Sequence, residues 1–194
     1  MTRRVLTGDD FRAMPWRNGG GSTCELYRLP HPQRPDDFAL RLSIATVAEG
    51  GPFSSFPLVD RTLLLLEGDG MALQFEAGEE VLLSEPLQPL RFAGEAAVSC
   101  RLLGGSLRDF NLMVARDWGE ASLAVEQLAA GQSVTLDGSR VLVYLLQGQL
   151  DDADGSLLPG QLLLLQEAAQ TLTATTACRY IRVVAAPRAC IPSP

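Results

Sequence analysis

The chain has no lysine; all 16 of its basic residues are arginines. That excludes a Schiff-base lysine and the lysine of a phosphate-binding P-loop. It has one histidine, His31, in 194 residues, which excludes chemistry needing two imidazoles, multi-histidine metal sites included. Positive charge is in deficit: 16 basic against 23 acidic residues give a net charge of −7. Phosphate recognition wants clustered positive charge, so a nucleic-acid partner is not expected. Long apolar runs are missing as well. Leu63–Leu66 and Leu162–Leu165 are the longest aliphatic stretches, too short to span a bilayer. The opening MTRRVLTGDDF leads into no apolar segment of signal-peptide length. The four cysteines, Cys24, Cys100, Cys178 and Cys190, form no CxxC pair and no zinc or iron–sulfur spacing. They are expected to be free thiols in a reducing, cytoplasmic setting, with no membrane partner.

What is present is a folding chain. Hydrophobic residues make up 46% and charged residues 20%, enough to bury a core in one large domain or two small ones. Eighteen glycines and twelve prolines punctuate short apolar or alternating runs, the pattern of many short strands in a sandwich or barrel. Phe38–Val47 (FALRLSIATV) alternates, with Phe38, Leu40, Leu42 and Ile44 on one face and Arg41, Ser43 and Ala45 on the other. Arg61–Glu67 reads as a strand ending at Gly68-Asp69-Gly70, with Met71–Glu76 as the return of a hairpin. Glu80–Leu83, Leu90–Phe92 and Ala97–Leu103 are further strands, and Arg108–Ala115 places Asp109, Asn111 and Met113 on one face. Glu120–Ala129 is the one helix candidate, with a strand reading equally open.

A weak internal repeat is visible. Thr62–Gly70 (TLLLLEGDG) resembles Leu142–Leu150 (LVYLLQGQL), and Gly78–Leu83 echoes Gly160–Leu165. These offsets are consistent with a duplicated barrel. The expected division is 1–110 and 111–194, two units closely packed and similarly acidic.

Several segments carry chemistry. Pro15–Glu25 (PWRNGGGSTCE) joins three glycines to an aromatic, an amide, a hydroxyl and a carboxylate, which suits a ligand-contacting loop or a tight barrel corner. Neither GxxxxGK[ST] nor GxGxxG is present, which disfavours a phosphate loop. Asp60 and Arg61 follow the Gly-, Pro- and Phe-rich segment Gly50–Pro57. Their adjacency permits a local ion pair of little value if exposed; an inward-pointing Arg41 or Arg61 would suit a carboxylate ligand. Asp109 and Asn111 are types depleted in strands, so two on one face point either to a polar cavity or to exposure at a strand start. His31, in Pro30–Pro35 (PHPQRP), reads as a surface-loop histidine, and GxSxG is absent.

Together these segments resemble the HutD/Ves family of bacterial cupin-like proteins. The matching blocks are PWRNGGGSTCEL (Pro15–Leu26), RLSIATVAEGGPFSSFP (Arg41–Pro57), DRTLLLLEGDG (Asp60–Gly70), LRFAGE (Leu90–Glu95) and LRDFNLM (Leu107–Met113). Arg17 stands where lysine is usual in the family, Leu58 where glycine often follows Phe-Pro, and Phe110 where leucine is common. The resemblance implies an all-β cupin fold of the RmlC-like jelly-roll type: a bicupin of two antiparallel β-barrels. It also implies an accessory or regulatory role linked to histidine utilisation or stress response, with a ligand of the urocanate or N-formylglutamate type.

The residues add a constraint. A metal-binding cupin uses three histidines and a glutamate, and Gly51–Gly70 contains no histidine. The expectation is a barrel without metal or other cofactor that binds a small anionic metabolite. In it Arg41 and Arg61 form the carboxylate fork and Trp16 and Phe92 the apolar walls. Asn18, Thr23, Glu25, Asp109 and Asn111 orient the ligand, and Asp60, Glu25 or Asp109 balances the buried arginines in the empty state. Two alternatives stay open: a metal-independent isomerase or hydrolase using Glu25 or Asp109, and an interaction module that docks a partner protein or a second copy, as a homodimer, through strand edges.

Overall fold

The computed structural model describes residues 2–188; Cys190 lies outside them. Every regular element among the described residues is a strand, so no helix there is long and apolar enough to cross a membrane. In chain order the strands are β1 (Thr2–Leu6), β2 (Arg12–Pro15), β3 (Gly21–Pro30), β4 (Phe38–Val47), β5 (Gly51–Pro52), β6 (Val59–Glu67), β7 (Met71–Phe75), β8 (Glu80–Leu83), β9 (Leu90–Ala93), β10 (Val98–Leu102) and β11 (Leu107–Ala115). They continue as β12 (Gly119–Leu128), β13 (Ser133–Leu136), β14 (Arg140–Gln147), β15 (Leu150–Asp152), β16 (Gly155–Leu157), β17 (Leu162–Gln166), β18 (Gln170–Ala174) and β19 (Cys178–Pro187).

Two compact units result. Residues 12–118 form one; residues 119–188 form the other, together with residues 2–11. The first unit has a six-stranded sheet, β2-β3-β4-β11-β6-β9, and a four-stranded sheet, β5-β10-β7-β8. Ala45, Val47, Leu63, Leu65 and Leu107 from the larger sheet meet Met71, Leu73, Leu83, Val98 and Cys100 from the smaller in one core. The second unit has a five-stranded sheet, β1-β17-β14-β19-β12, and a four-stranded sheet, β13-β18-β15-β16. Val141, Val143, Leu145, Leu163, Leu165 and Tyr180 share its core with Leu136, Leu150, Leu157 and Leu172. Each unit is therefore a sandwich of two open antiparallel sheets. Among the described residues no ladder joins the outer strands of one sheet to those of its partner, so no closed barrel is found.

The strand order repeats. The first unit runs β4-β11-β6-β9 over β5-β10-β7-β8; the second runs β12-β19-β14-β17 over β13-β18-β15-β16. Thus β6 corresponds to β14, as the resemblance of Thr62–Gly70 to Leu142–Leu150 anticipates. The other sequence echo misleads. Gly78–Leu83 contains β8, whereas Gly160–Leu165 leads into β17, whose counterpart is β9. A short apolar strand after a glycine turn is too common a pattern to fix equivalence.

Local chemistry explains most elements. β4 and β11 match the expected alternating runs, and they pair from Leu107↔Val47 to Val114↔Leu40. Glu120–Ala129 is strand rather than helix: β12 pairs with β19 over ten residues, Gly119↔Pro187 to Leu128↔Cys178, and this long ladder overrides the helix propensity of its Ala, Glu and Leu. Leu58 has φ +61°, a conformation glycine adopts without strain. Cys24, Cys100 and Cys178 are free thiols, Cys24 half-buried and the other two buried.

Candidate functional site

The polar end of the first sandwich holds a cavity of about 490 Å³. Its floor is the inward face of the six-stranded sheet, and the ladder registers place its residues in rows. Arg41, Met113, Arg61 and Phe92 lie side by side across β4, β11, β6 and β9. Ser43, Asn111 and Leu63 form the next row, and Ala45, Asp109 and Leu65 the row beyond. Rows two residues apart share a face, so the alternation read from the sequence brings Arg41, Arg61, Asp109 and Asn111 together.

Asp60 is not part of this face. Strand alternation sends it outward when Arg61 points in, and it accepts a hydrogen bond from Arg116 Nη1 at 2.9 Å. The Asp60–Arg61 neighbours therefore form no local pair, and Asp60 does not balance the buried arginines. Arg116 also pairs with Glu95, closing a surface cluster.

The rim is the Pro15–Glu25 segment, which is at once the tight corner and the cavity wall. Asn18 Oδ1 accepts the Gly20 N–H (3.1 Å), the Asx turn that Gly19 completes at φ +75°. The Gly20 carbonyl accepts the N–H groups of Ala48 (2.9 Å) and Glu49 (3.0 Å), pinning the turn to the end of β4. Trp16 Nε1–H donates to Thr23 Oγ1 at 2.8 Å, which fixes the indole at the mouth. Trp16, Asn18 and Thr23 all line the cavity.

The two arginines differ. Arg41 Nε donates to Glu25 Oε2 at 2.6 Å, and its Nη1 lies 3.6 Å from Met113 Sδ. A register shift in the β3–β4 ladder between Glu25 and Tyr27 accompanies this diagonal pairing. Arg61 is 6% exposed. Its guanidinium carbon sits 5.0 Å from the ring centres of Phe53 and Phe92 and 5.7 Å from that of Phe56. Its Nε has no hydrogen-bond partner, and among the described residues it enters no ion pair. Cation–π contact offsets part of its desolvation. Burial and, to a lesser degree, Arg41 lower its pKa to about 10, with Asp109 pulling the other way.

Asp109 is 3% exposed, and its Oδ1 has no partner. Burial pushes its pKa up to about 7, against the attraction of Arg61. Asn111 is buried with its Oδ1 likewise unpartnered. Buried polar atoms without partners are rare, and here two of them sit on adjacent rows of one cavity with an unpaired guanidinium nitrogen. Phe53 and Phe56 line this cavity and Phe92 does not; Phe92 packs behind Arg61. Sequence alone does not assign Phe53 and Phe56 to the site, although both lie in the Gly50–Pro57 segment that precedes Arg61.

His31 is not on the surface. It is 3% exposed; its Nδ1 accepts the Gln33 N–H (3.2 Å), which leaves Nε2 to face Asp117 Oδ1 (3.2 Å). Arg34 pairs with Asp117 as well, holding that carboxyl down to about 2. This cluster pins the β3–β4 connection and does not line the cavity.

The titrating groups set an expected stability profile. Asp109 keeps in the folded state a proton that the unfolded chain releases near pH 4. Folding stability should therefore fall as pH rises from about 4 to 7, by on the order of a few kcal/mol, and level off above. Asp117 acts with the opposite sign, its contribution being lost as pH falls from about 4 toward 2. Urea unfolding from pH 3 to 8 should show the maximum on the acid side of neutrality. Asp109→Asn should flatten the limb between pH 4 and 7; an unchanged limb would show that Asp109 does not titrate there.

The HutD family model matches residues 8–181. A Pseudomonas putida protein named as an uncharacterized 21.2 kDa protein in the hutC 3′ region is 44% identical over 115 residues, 58% of each chain; the match thus spans somewhat over half the length of that relative. Protein Ves of Cronobacter sakazakii is 38% identical over 168 residues, 84% of this chain and 88% of its own. The structure of HutD from Pseudomonas fluorescens SBW25, described as a formate condition, superposes with a TM-score of 0.79 at 32% identity, covering 97% of this chain and 100% of that one. Cupin-fold proteins share the fold at lower identity: the Escherichia coli pirin YhhW in complex with nickel(II) (TM-score 0.69, 11% identity) and Lactobacillus farciminis oxalate decarboxylase (TM-score 0.64, 8% identity).

The cavity of this chain does not suit a metal cation. The only histidine lies elsewhere, and Glu25 is engaged by Arg41. An unpaired guanidinium nitrogen lies in the cavity wall. Among the described residues no cluster of three or more His, Cys, Asp or Glu side chains is placed to hold a metal.

Proposed function

The chain belongs to the HutD family, and from that premise we propose that it is a bicupin whose first unit binds a small anionic metabolite without metal. We assign it an accessory or regulatory role in histidine utilisation. The observation that carries the reading is Arg61: a buried guanidinium, stacked among three phenylalanines, whose Nε has no partner. A buried charge of this kind is tolerable when a counter-ion arrives to share it. The planar fork matches a carboxylate. Arg41, ion-paired with Glu25 through its Nε, adds a second donor edge on the same row, and Trp16, Phe53 and Phe56 supply apolar walls. The 490 Å³ volume suits a metabolite of the urocanate or N-formylglutamate size. The Pseudomonas putida relative is named for its position in the hutC 3′ region, which supports the pathway assignment.

Thermal melting against histidine, urocanate, N-formylglutamate and glutamate, each with and without divalent metal, tests the reading. A ligand at about 100 times its dissociation constant adds roughly 2.7 kcal/mol. One carboxylate should raise the melting temperature without metal; no shift across the panel would remove the reading. A second reading, a metal-independent enzyme, is favoured by one observation. Asp109 is a buried carboxyl raised to about 7, where a general acid–base group is most effective. Glu25, locked on Arg41, is the weaker candidate. A docking module would want a sealed interior, and this unit holds a cavity.

A further inference from the structure

Charge counting inside the cavity leads further, on the footing of the anion-binding reading above. The charged groups facing Asp109 come from three directions. On β4, Arg41 is closed into an ion pair with Glu25 of β3. On β6 stands Arg61, without an ion pair. On β10, the Cys100 thiol is neutral, its pKa pushed up chiefly by burial and further by Asp109 itself. Arg17 and Glu49 lie at the exposed rim. With Glu25 and Arg41 cancelling, the buried balance in the empty state above about pH 7 is one guanidinium, Arg61, against one carboxylate, Asp109. A monoanion seated on Arg61 would leave that balance at minus one, with two buried anions one or two strand rows apart, about 7 Å per row. Burial already disfavours the charged form of Asp109, and a second negative charge on the same buried floor adds to that, so the carboxyl takes up a proton.

We propose that the site binds its anion together with a proton, taken from solvent and held on Asp109, so that ligand occupancy is coupled to pH. The balance is simple: an anion and one proton enter, no bond other than the new O–H on the carboxyl is made, and the buried net charge stays at zero. The unpartnered Oδ1 of Asp109 becomes a donor once protonated, able to bond the incoming anion or the Asn111 Oδ1 that also lacks a partner. Asp109 thereby acts as a specificity residue for charge. It admits one negative group per proton and disfavours a second, and a ligand carrying two carboxylates must leave one of them at the mouth.

The test uses sodium formate, the smallest carboxylate, at constant ionic strength. It is titrated into the full chain at pH 6, 7, 8 and 9, with calorimetry in two buffers of different ionisation enthalpy. The expected result is uptake approaching one proton per formate bound above pH 7. The dissociation constant should rise toward about tenfold per pH unit there. Asp109→Asn should bind with a nearly pH-independent constant and no proton uptake. Proton uptake near zero in the wild type, or the same pH slope in Asp109→Asn, would overturn the inference. The wild-type proton count stands even if the variant folds poorly. No formate binding at pH 6 would overturn it too, since charge balance makes no demand on ligand size; the metabolite panel then decides separately whether anion binding itself survives. Binding that is tight but insensitive to pH would remove the proton coupling and leave the anion-binding reading intact.

Discussion

Arg61→Met is expected to weaken carboxylate binding by about 30-fold or more while leaving the chain folded, since losing one partner of a buried charged contact costs about 2–5 kcal/mol of affinity. Methionine fills similar space among Phe53, Phe56 and Phe92 and interacts well with aromatic rings. The substitution also removes a cation whose Nε is stripped of partners, so the fold should lose little; replacing buried ionic groups with apolar ones is often neutral or stabilising. Asp109, deprived of its attraction to Arg61, simply holds its proton to higher pH. Arg61→Lys should fail nearly as badly, because a compact ammonium offers neither the planar fork nor the stacking surface. Binding by isothermal calorimetry and unfolding by circular dichroism separate the two effects. Wild-type affinity in Arg61→Met would move the ligand out of this cavity altogether.

Gly21→Val should be the most damaging change at the rim. A Cβ at Gly21 would fall within the van der Waals envelope of the Thr46 carbonyl oxygen and 3.0 Å from the Trp16 ring. Backbone cannot yield as a flexible side chain does, so β3 must part from β4 or the indole must leave its place on Thr23. We expect a loss of about 3 kcal/mol or more, roughly 10 °C in melting temperature for a chain of this size, and weakened ligand binding with it. Gly20→Ala is the control. Its Cβ meets nothing closer than 3.5 Å and its φ is not positive, so the change should stay within about 1 kcal/mol. Equal damage at both positions would mean that the glycines matter as a flexible run and not through one close approach.

How much of this was legible depends on the range of the interaction. Period-two alternation placed Asp109, Asn111 and Met113 on one face, and it placed Arg41 and Ser43 opposite Leu40 and Leu42, because that signal is local to a single strand. The same rule, applied to Asp60 and Arg61, requires that only one of them enter the cavity; both stood as site candidates because their strand's facing was undetermined. Pairings across long distances left no local trace. β1 joins β17 from Thr2↔Gln166 to Leu6↔Leu162, so the first strand belongs to the second unit, and nothing in TRRVL announces it. His31 sits in a proline-rich segment that looks like surface. Its burial depends on Asp117, 86 positions away. Phe53 and Phe56 needed a knowledge of what Arg61 touches. The resemblance supplied the family; the orphaned atoms of Asp109 and Asn111 could come only from coordinates.

The repeated strand order makes the chain its own control. In the first unit Arg61 stands across from Met113, and Leu65 across from Asp109. In the second, Val141 stands across from Val184, and Leu145 across from Tyr180. Following the strand correspondence, valine occupies the place of Arg61 and tyrosine that of Asp109, with the Tyr180 hydroxyl donating to Glu126 at 2.7 Å instead of being left alone. Val141, Leu145 and Tyr180 are packed into a solid core. At these equivalent positions one sandwich keeps buried charge and the other places apolar and aromatic side chains. On the anion-binding proposal, calorimetry should therefore count one carboxylate per chain with a hyperbolic saturation curve; a second equivalent would show that the sandwich lacking these charges binds as well.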